Sequence, residues 1–212
     1  MSNPTKQSTT AIDELITSRT SANNYDTNRT LSKDEVAQLI QLATCSPTAF
    51  NFQNWKFIAV HTEAAKQRLL PLAYRQPKIV DAAVTFIVCG TLEPHSGLPS
   101  VLQPSLDAGI LDEATFNSWV GAANGMYGGN ATMQRDEAVR SAAMAAMTLM
   151  LAAQGRGLVS CPMIGFDAAG VAAEFDLLAT DVPVMLVTVG HAAAANWPQK
   201  PRKAVSQVLS FA

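Results

Sequence analysis

Ser46-Pro47-Thr48-Ala49-Phe50-Asn51-Phe52-Gln53-Asn54-Trp55 joins an amphipathic helical pattern to an apolar strand pattern, Phe57-Ile58-Ala59-Val60. Hydroxyls, amides and large aromatics crowd into one helix-to-strand connection. Such connections are usually short and made of turn residues. This one has the composition of a cradle for something flat with polar edges. The helix before it opens at a capping box, Ser32 to Glu35, with Leu31 and Val36 as a staple. It runs to about Thr44 and buries Val36, Leu39, Ile40 and Ala43.

Outward from this stretch, Thr10-Ala11-Ile12-Asp13 starts a helix with Ile12, Leu15 and Ile16 on its apolar face, ending near Arg19. Thr62 to Leu72 reads as a helix. Val84 to Gly90 is apolar throughout, which predicts a central strand. From Glu93 to Met133, Pro94, Pro99 and Pro104 break the pattern. Asp112 to Ala122 reads as a helix and Asn124 to Asn130 as a Gly-rich loop, so the region reads as an excursion covering a site. Arg135 to Gln154 is the strongest helix and is apolar on nearly every side after Ser141. Such a helix is buried all round, here on its own sheet and on a partner subunit. Its Met144, Met147 and Leu151 stripe fits core or interface better than a cofactor contact. Leu158 to Cys161 and Pro183 to Val189 read as strands, Val171 to Phe175 as a helix, and Val205 to Leu209 as a last, lone strand. The sum is an α+β or α/β layered domain with four or five strands in a central sheet.

Composition narrows the function. The chain of 212 residues is 48% hydrophobic and 15% charged, with a formal net charge of −2. That suits one large domain, or one subunit of an intertwined oligomer. There is no basic stripe, so no nucleic-acid partner is expected. Cys45, Cys89 and Cys161 are too few and too far apart for a disulfide framework or a zinc pattern. The N-terminal stretch has no apolar signal core, and the longest apolar run, Ala142 to Ala153, is too short to cross a bilayer. The expectation is a soluble cytoplasmic protein with no membrane partner. G-x-S-x-G, HExxH, Walker and CxxC motifs are absent, and His61, His95 and His191 read as surface or strand-end residues rather than general bases.

Polar clusters remain at the ends of elements, each open to two readings. Ser18 to Tyr25 offers Arg19 and hydroxyls to a phosphate, or is a plain helix C-terminal turn. Thr48 and Asn51 can bond a heterocycle edge, or the loop is a capped turn over buried aromatics. Cys161-Pro162-Met163-Ile164-Gly165-Phe166-Asp167 aims backbone N–H groups outward, or is an ordinary strand-to-helix turn capped by Asp167. Trp197-Pro198-Gln199-Lys200-Pro201-Arg202 projects two cations to one side, or is a solvated tail.

Taken together, these clusters resemble the FMN-dependent nitroreductase family, and within it the small oxygen-insensitive NAD(P)H nitroreductases of bacteria. The likeness covers about Ile12 to Leu209. A basic-hydroxyl segment is met by Arg19 to Asn23. The Ser-Pro-Ser/Thr-x-x-Asn-x-Gln-x-Trp loop is met by Ser46, Pro47, Thr48, Asn51, Gln53 and Trp55. The Gly-Phe turn is met by Gly165 and Phe166, the late Lys-x-Arg by Lys200 and Arg202. Tyr74-Arg75-Gln76-Pro77-Lys78-Ile79 matches a stretch that reaches the flavin. Three positions depart from the pattern: Asn23 replaces a common basic residue, Asn54 the Pro before the loop Trp, and Ile164 the Glu before the turn Gly.

The resemblance implies an α+β three-layer sandwich with a central, mostly antiparallel sheet flanked by helices. It implies a single domain over 1–212, with 93–133 as a cover and 191–212 as a tail reaching the partner of an intertwined homodimer. Arg19, Thr20, Ser21, Lys200 and Arg202 would hold the FMN phosphate, with Asn23 beside them. Pro47, Thr48, Asn51 and Gln76 would sit near the ring or ribityl chain, the backbone of Ile164 and Gly165 at flavin N5, and Lys78 at N1/O2. Phe50, Phe52 and Tyr127 would line the substrate opening. The implied activity passes electrons from NAD(P)H through FMN to a nitroaromatic, a quinone or a similar small acceptor by a ping-pong mechanism. No catalytic side chain and no metal are needed. Two other readings stand beside it. One is a different flavin reaction on this fold, such as enone reduction, reductive dehalogenation or flavin breakdown. The other is a flavin sensor or store without turnover.

Overall fold

A computed structural model describes residues 10–212; the stretch at 1–9, expected to hold no signal core, lies outside the described residues. The first helix, α1 (Ala11–Ser18), opens at Thr10, whose hydroxyl and the Asp13 carboxylate close a capping box. The second, α2 (Lys33–Ala43), opens at the Ser32–Glu35 box expected from sequence. Strand β1 (Trp55–Val60) follows the long connection, then α3 (Glu63–Leu72), a short α4 (Lys78–Asp81) and β2 (Val84–Thr91). The excursion holds α5 (Pro94–Asp107) and α6 (Glu113–Tyr127). The chain closes with α7 (Ala131–Gly155), β3 (Val159–Met163), α8 (Ala168–Glu174) and β4 (Asp181–Gly190).

The sheet is antiparallel throughout, in the order β1-β2-β4-β3. β2 is interior and buried on both faces, as its unbroken apolar pattern requires. Its alternation divides two cores. Val84, Phe86 and Val88 pack with Ala142, Ala146 and Leu149 of α7 and Val36 and Leu39 of α2. Ile87 and Cys89 point the other way, to Leu69 of α3 and Val171 of α8. The result is an α+β sandwich of helix, sheet and helix. Burying a side chain such as Phe86 contributes on the order of 2–3 kcal/mol.

The alanines of α7 have a specific consequence. With Ala138, Ala142, Ala145, Ala146 and Ala153 on its buried face, the helix lies close on the sheet. A Cβ on Gly90 would sit 2.1 Å from the Ala138 carbonyl oxygen. The contact leaves no room for any side chain at position 90.

Several sequence expectations are corrected. Pro94, Pro99 and Pro104 do not break the excursion, because all lie within α5. Pro94 occupies the first helical position, where no N–H is needed, and Pro99 and Pro104 face solvent, where water can reach the freed carbonyls. Leu98 and Leu102, one turn apart and buried, hold the helix down. Asn124 to Asn130 is not one loop. α6 continues to Tyr127 because Ala123 and Tyr127 are buried at i,i+4 spacing, and only Gly128-Gly129 turn before Asn130 caps α7. Val205 to Leu209 is not a strand. Val205–Gln207 forms a 3-10 turn, and the tail from 201 onward is exposed and pairs with no strand of the single chain. α7 packs on the sheet with one face and leaves Met147 38% exposed on the single chain, on the side expected to meet a partner.

Replacing Gly90 by Ala should destabilise the protein by about 3 kcal/mol, read as a lowered urea midpoint, because strand and helix must separate to admit the methyl group.

Candidate functional site

The segment after α1 is held by the edge of β3. Arg19 leaves the helix in an extended conformation. The Ala22 N–H donates to the Ser160 carbonyl at 3.0 Å, and Ser21 bridges to Ser160. The tail then folds back on this segment. Asn196 Oδ1 accepts from the N–H groups of Asn23 (2.7 Å) and Asn24 (3.0 Å), and Gln199 Nε2 donates to the Arg19 carbonyl at 2.8 Å. Arg202 donates to Gln199 Oε1 at 2.8 Å, and Lys200 Nζ stands 5.0 Å from the centre of the Trp197 ring. Thr20, Ser21, Lys200 and Arg202 thus line one small cavity of about 40 Å³. Arg19 precedes Thr20 in the chain, and its Nη1 is buried without a hydrogen-bond partner among the described residues. An open guanidinium N–H costs stability unless an acceptor meets it. Two hydroxyls and two cations around one cavity make a fitting seat for a phosphate, with the unmet donor on the adjoining residue.

A second group joins the first through Lys78. Its Nζ donates to Asn23 Oδ1 at 3.0 Å and lies 3.5 Å from Cys161 Sγ. The Gln76 side-chain amide donates to the Gly165 carbonyl at 3.0 Å and to that of Ala73 at 3.2 Å. The Asp167 N–H donates to the Leu72 carbonyl at 2.7 Å, tying the turn after β3 to the end of α3. Ile164 is 84% exposed at that turn. Arg19, Thr20, Ser21, Asn23, Gln76, Lys78, Ile164, Gly165, Lys200 and Arg202 therefore form one connected region. Asn196 and Cys161 belong to it without having been picked as site residues. An amide side chain opening a Pro-punctuated tail is the signal that could have revealed Asn196.

The Ser46 to Trp55 connection stands apart. Ser46 Oγ pairs with Thr148 Oγ1 at 2.6 Å and contacts the Met144 carbonyl at 3.3 Å, hooking the loop onto α7. Thr48 Oγ1 accepts from the Gln53 N–H at 3.0 Å. Phe50, Asn51 and Gln53 hold left-handed backbone, with φ of 50°, 57° and 49°. Such strain is kept where the surroundings enforce it and often serves a site. Phe50, Phe52 and Tyr127 pack together, with ring centres 5.0–6.5 Å apart. Phe52 and Tyr127 are buried beneath α5 and α6, and only Phe50 is half-buried. Pro47 and Asn51 are exposed.

One chain does not unite the two regions. Ser21 stands level with Ser160, Val189 and Val84, whereas the loop enters β1 at Trp55, level with Gly90. The six steps of β2 between these levels span about 20 Å. His61 and His191 follow β1 and β4, as expected of strand-end residues, and His61 Nε2 bonds to the Leu31 carbonyl at 2.6 Å, whereas His95 lies in the first turn of α5 with its Nδ1 buried and unmet among the described residues. Among the described residues no group of His, Cys, Asp and Glu is placed to hold a metal ion. Among them no helix is long and apolar enough to cross a membrane.

The Nitroreductase family profile matches residues 16–191. The chain belongs to this family, and with it to the oxidoreductases. It is 34% identical to the provisionally named NAD(P)H nitroreductase YodC of Bacillus subtilis (strain 168) over 179 residues, 84% of this chain and 88% of that protein. Two solved structures share the fold. One is the provisionally named nitroreductase ydfN of Bacillus subtilis, with a TM-score of 0.89, 28% identity, and 95% and 98% of the two chains covered. The other is a provisionally named nitroreductase of Exiguobacterium sibiricum 255-15 in complex with FMN, with a TM-score of 0.88, 28% identity, and 98% and 100% covered.

Below the aromatic cluster, Tyr127 Oη donates to Glu137 Oε2 at 3.1 Å, and the nearly buried carboxylate also meets Arg140 and Ser141. Burial, with this carboxylate beside it, pushes the Tyr127 phenol up to about 12. The folded value lies above the unfolded one of about 10, so this contribution is complete below pH 10 and is lost as pH rises through 12. Stability should fall over that window. Tyr127→Phe should make the fall shallower in urea titrations, the remainder coming from Cys89 and Tyr25, which burial also pushes up.

Proposed function

We propose that the chain is an FMN-dependent NAD(P)H oxidoreductase, working as a homodimer on a nitroaromatic, a quinone or a similar small acceptor. The observation that carries this is the cavity lined by Thr20, Ser21, Lys200 and Arg202, with a buried, unmet Nη1 on the adjoining residue, Arg19. A phosphate monoester supplies the acceptors and negative charge that this group lacks. The FMN in the Exiguobacterium sibiricum structure supports the choice of ligand. The aromatic and amide loop supplies the counterpart for a flat ring.

The separation of the two regions supports a dimer. Thr48, Asn51 and Pro47 of one copy can complete the site of another, since within one chain they lie at the opposite end of the sheet. Apolar side chains stand exposed for such a contact: Ile12, Ile16, Leu42 and Met147, and in the tail Val205, Val208 and Phe211. In this reading 1–212 is one domain, 93–133 covers the site and 191–212 reaches the partner.

Bound FMN supplies hydride uptake from NAD(P)H and electron delivery to the acceptor in two half-reactions. Donor and acceptor then use one opening in turn, which gives ping-pong kinetics. The chain's own part is binding and electrostatics. Lys78, held by Asn23, is the cation offered to the ring, where it offsets gathered negative charge. Gln76 fixes the Gly165 turn so that its backbone faces the ring. Ile164 makes the neighbouring surface apolar, which favours apolar acceptors.

Purified protein should be yellow and should oxidise NAD(P)H with a nitroaromatic or quinone, giving parallel double-reciprocal lines. Arg19→Ala should raise the FMN dissociation constant about 10- to 100-fold in fluorescence titrations, the loss expected for a charge-assisted hydrogen bond. Colourless protein that takes up no FMN would end this reading.

A further inference from the structure

We propose that Arg75 binds a phosphate of the pyridine-nucleotide donor and so sets the chain's affinity for it, with Tyr74 beside it at the mouth of the ring site. This rests on the FMN and NAD(P)H reading above.

The first observation is conformational. After α3 the chain turns through Tyr74 and Arg75, both left-handed, with φ of 51° and 54°. Left-handed backbone costs an ordinary residue roughly 1 kcal/mol or more, and helices usually end on a single Gly or Asn there. The turn is closed by the Arg75 N–H to the Leu70 carbonyl (2.9 Å) and the Gln76 N–H to that of Ala73 (3.2 Å). Ending the helix does not call for two large side chains in succession. The backbone holds them in a costly shape and turns both outward, with Tyr74 67% exposed.

The second observation is place. The next residue, Gln76, is the one whose amide grips the Gly165 carbonyl. A Tyr74 ring carbon lies 3.9 Å from where a Cβ on Gly165 would stand. The pair therefore borders the turn assigned to the ring.

The third is charge. Among the described residues the Arg75 guanidinium makes no hydrogen bond or salt bridge, while Arg68 and Arg140 each meet a carboxylate. The cofactor's phosphate already has its own cations in Arg19, Lys200 and Arg202. A donor must bring its nicotinamide to the ring, and its phosphates trail outward past the mouth. An exposed, unpaired guanidinium there is the group that meets them, in the forked geometry that suits phosphate oxygens.

The test is anaerobic stopped-flow reduction of the FMN-loaded protein by NADH and by NADPH, for the unaltered chain, Arg75→Ala and Arg75→Lys, over a range of salt. Arg75→Ala should weaken donor binding about tenfold with FMN content unchanged, and Arg75→Lys should keep part of the affinity. Donor affinity of the unaltered chain should fall with salt more steeply than that of Arg75→Ala. A loss confined to NADPH assigns the contact to the 2′-phosphate, and an equal loss for both donors assigns it to the diphosphate; either supports the proposal. Donor affinities within twofold of the unaltered chain, with FMN bound and reducible, overturn it. If the unaltered chain binds no FMN or neither donor reduces it, the cofactor reading has failed and this proposal falls with it.

Discussion

The close approach of α7 to β2 is the constraint on which the rest depends. Ala138 and Gly90 meet backbone to backbone, and the alanines along the helix keep it low on the sheet. That contact sets the depth of the core under Phe86 and Val88. It also places Thr148 where Ser46 can grip it, which holds the start of the aromatic loop. α2 packs against the same helix, so the loop is fixed at its root rather than along its length. Strained backbone at Phe50, Asn51 and Gln53 is tolerable because both ends of the connection are pinned.

Charge is used sparingly, and where it is buried its treatment separates scaffold from site. Asp181 is almost fully buried and is met by Lys56 and the Leu178 N–H. Glu137 is met by Tyr127, Arg140 and Ser141. These networks are closed, as buried charges in a stable scaffold must be. Arg19 is the contrast, because one of its N–H groups is buried and unmet. Lys200 and Arg202 come from the opposite end of the chain, and the neutral amides of Asn196 and Gln199 bring their tail to the Arg19 segment. The scaffold aligns like charges without neutralising them, which leaves their field for a ligand.

Much of the fold was legible because local chemistry and tertiary packing agree. The boxes at Thr10–Asp13 and Ser32–Glu35 satisfy helix N–H groups from residues three apart, and the apolar run at Val84 to Gly90 could only be a buried strand. The excursion was misread because prolines and glycines were weighed as breakers, whereas Leu98, Leu102, Ala123 and Tyr127 bury enough surface to hold two helices there. The tail strand failed for the opposite reason. Val205 to Leu209 has strand chemistry, but a strand needs a partner and this tail lies exposed, paired with no strand of the single chain.

By itself, the sequence determined the capped helices and the apolar strands, the family and the kinds of side chain at the site, because these follow from residue chemistry and spacing. Only the tertiary structure decided which clusters meet. It joined Arg19 to Asn23 with the far tail through Asn196 and Gln199, and set Lys78 between Asn23 and Cys161. It also put the opening loop at the other end of the sheet. Sequence order carries no information about that distance, since it is set by strand order and by how far α7 can sink onto the sheet. The loop remains a cradle in composition, but within one chain it lies at the opposite end of the sheet from the Arg19 to Asn23 segment.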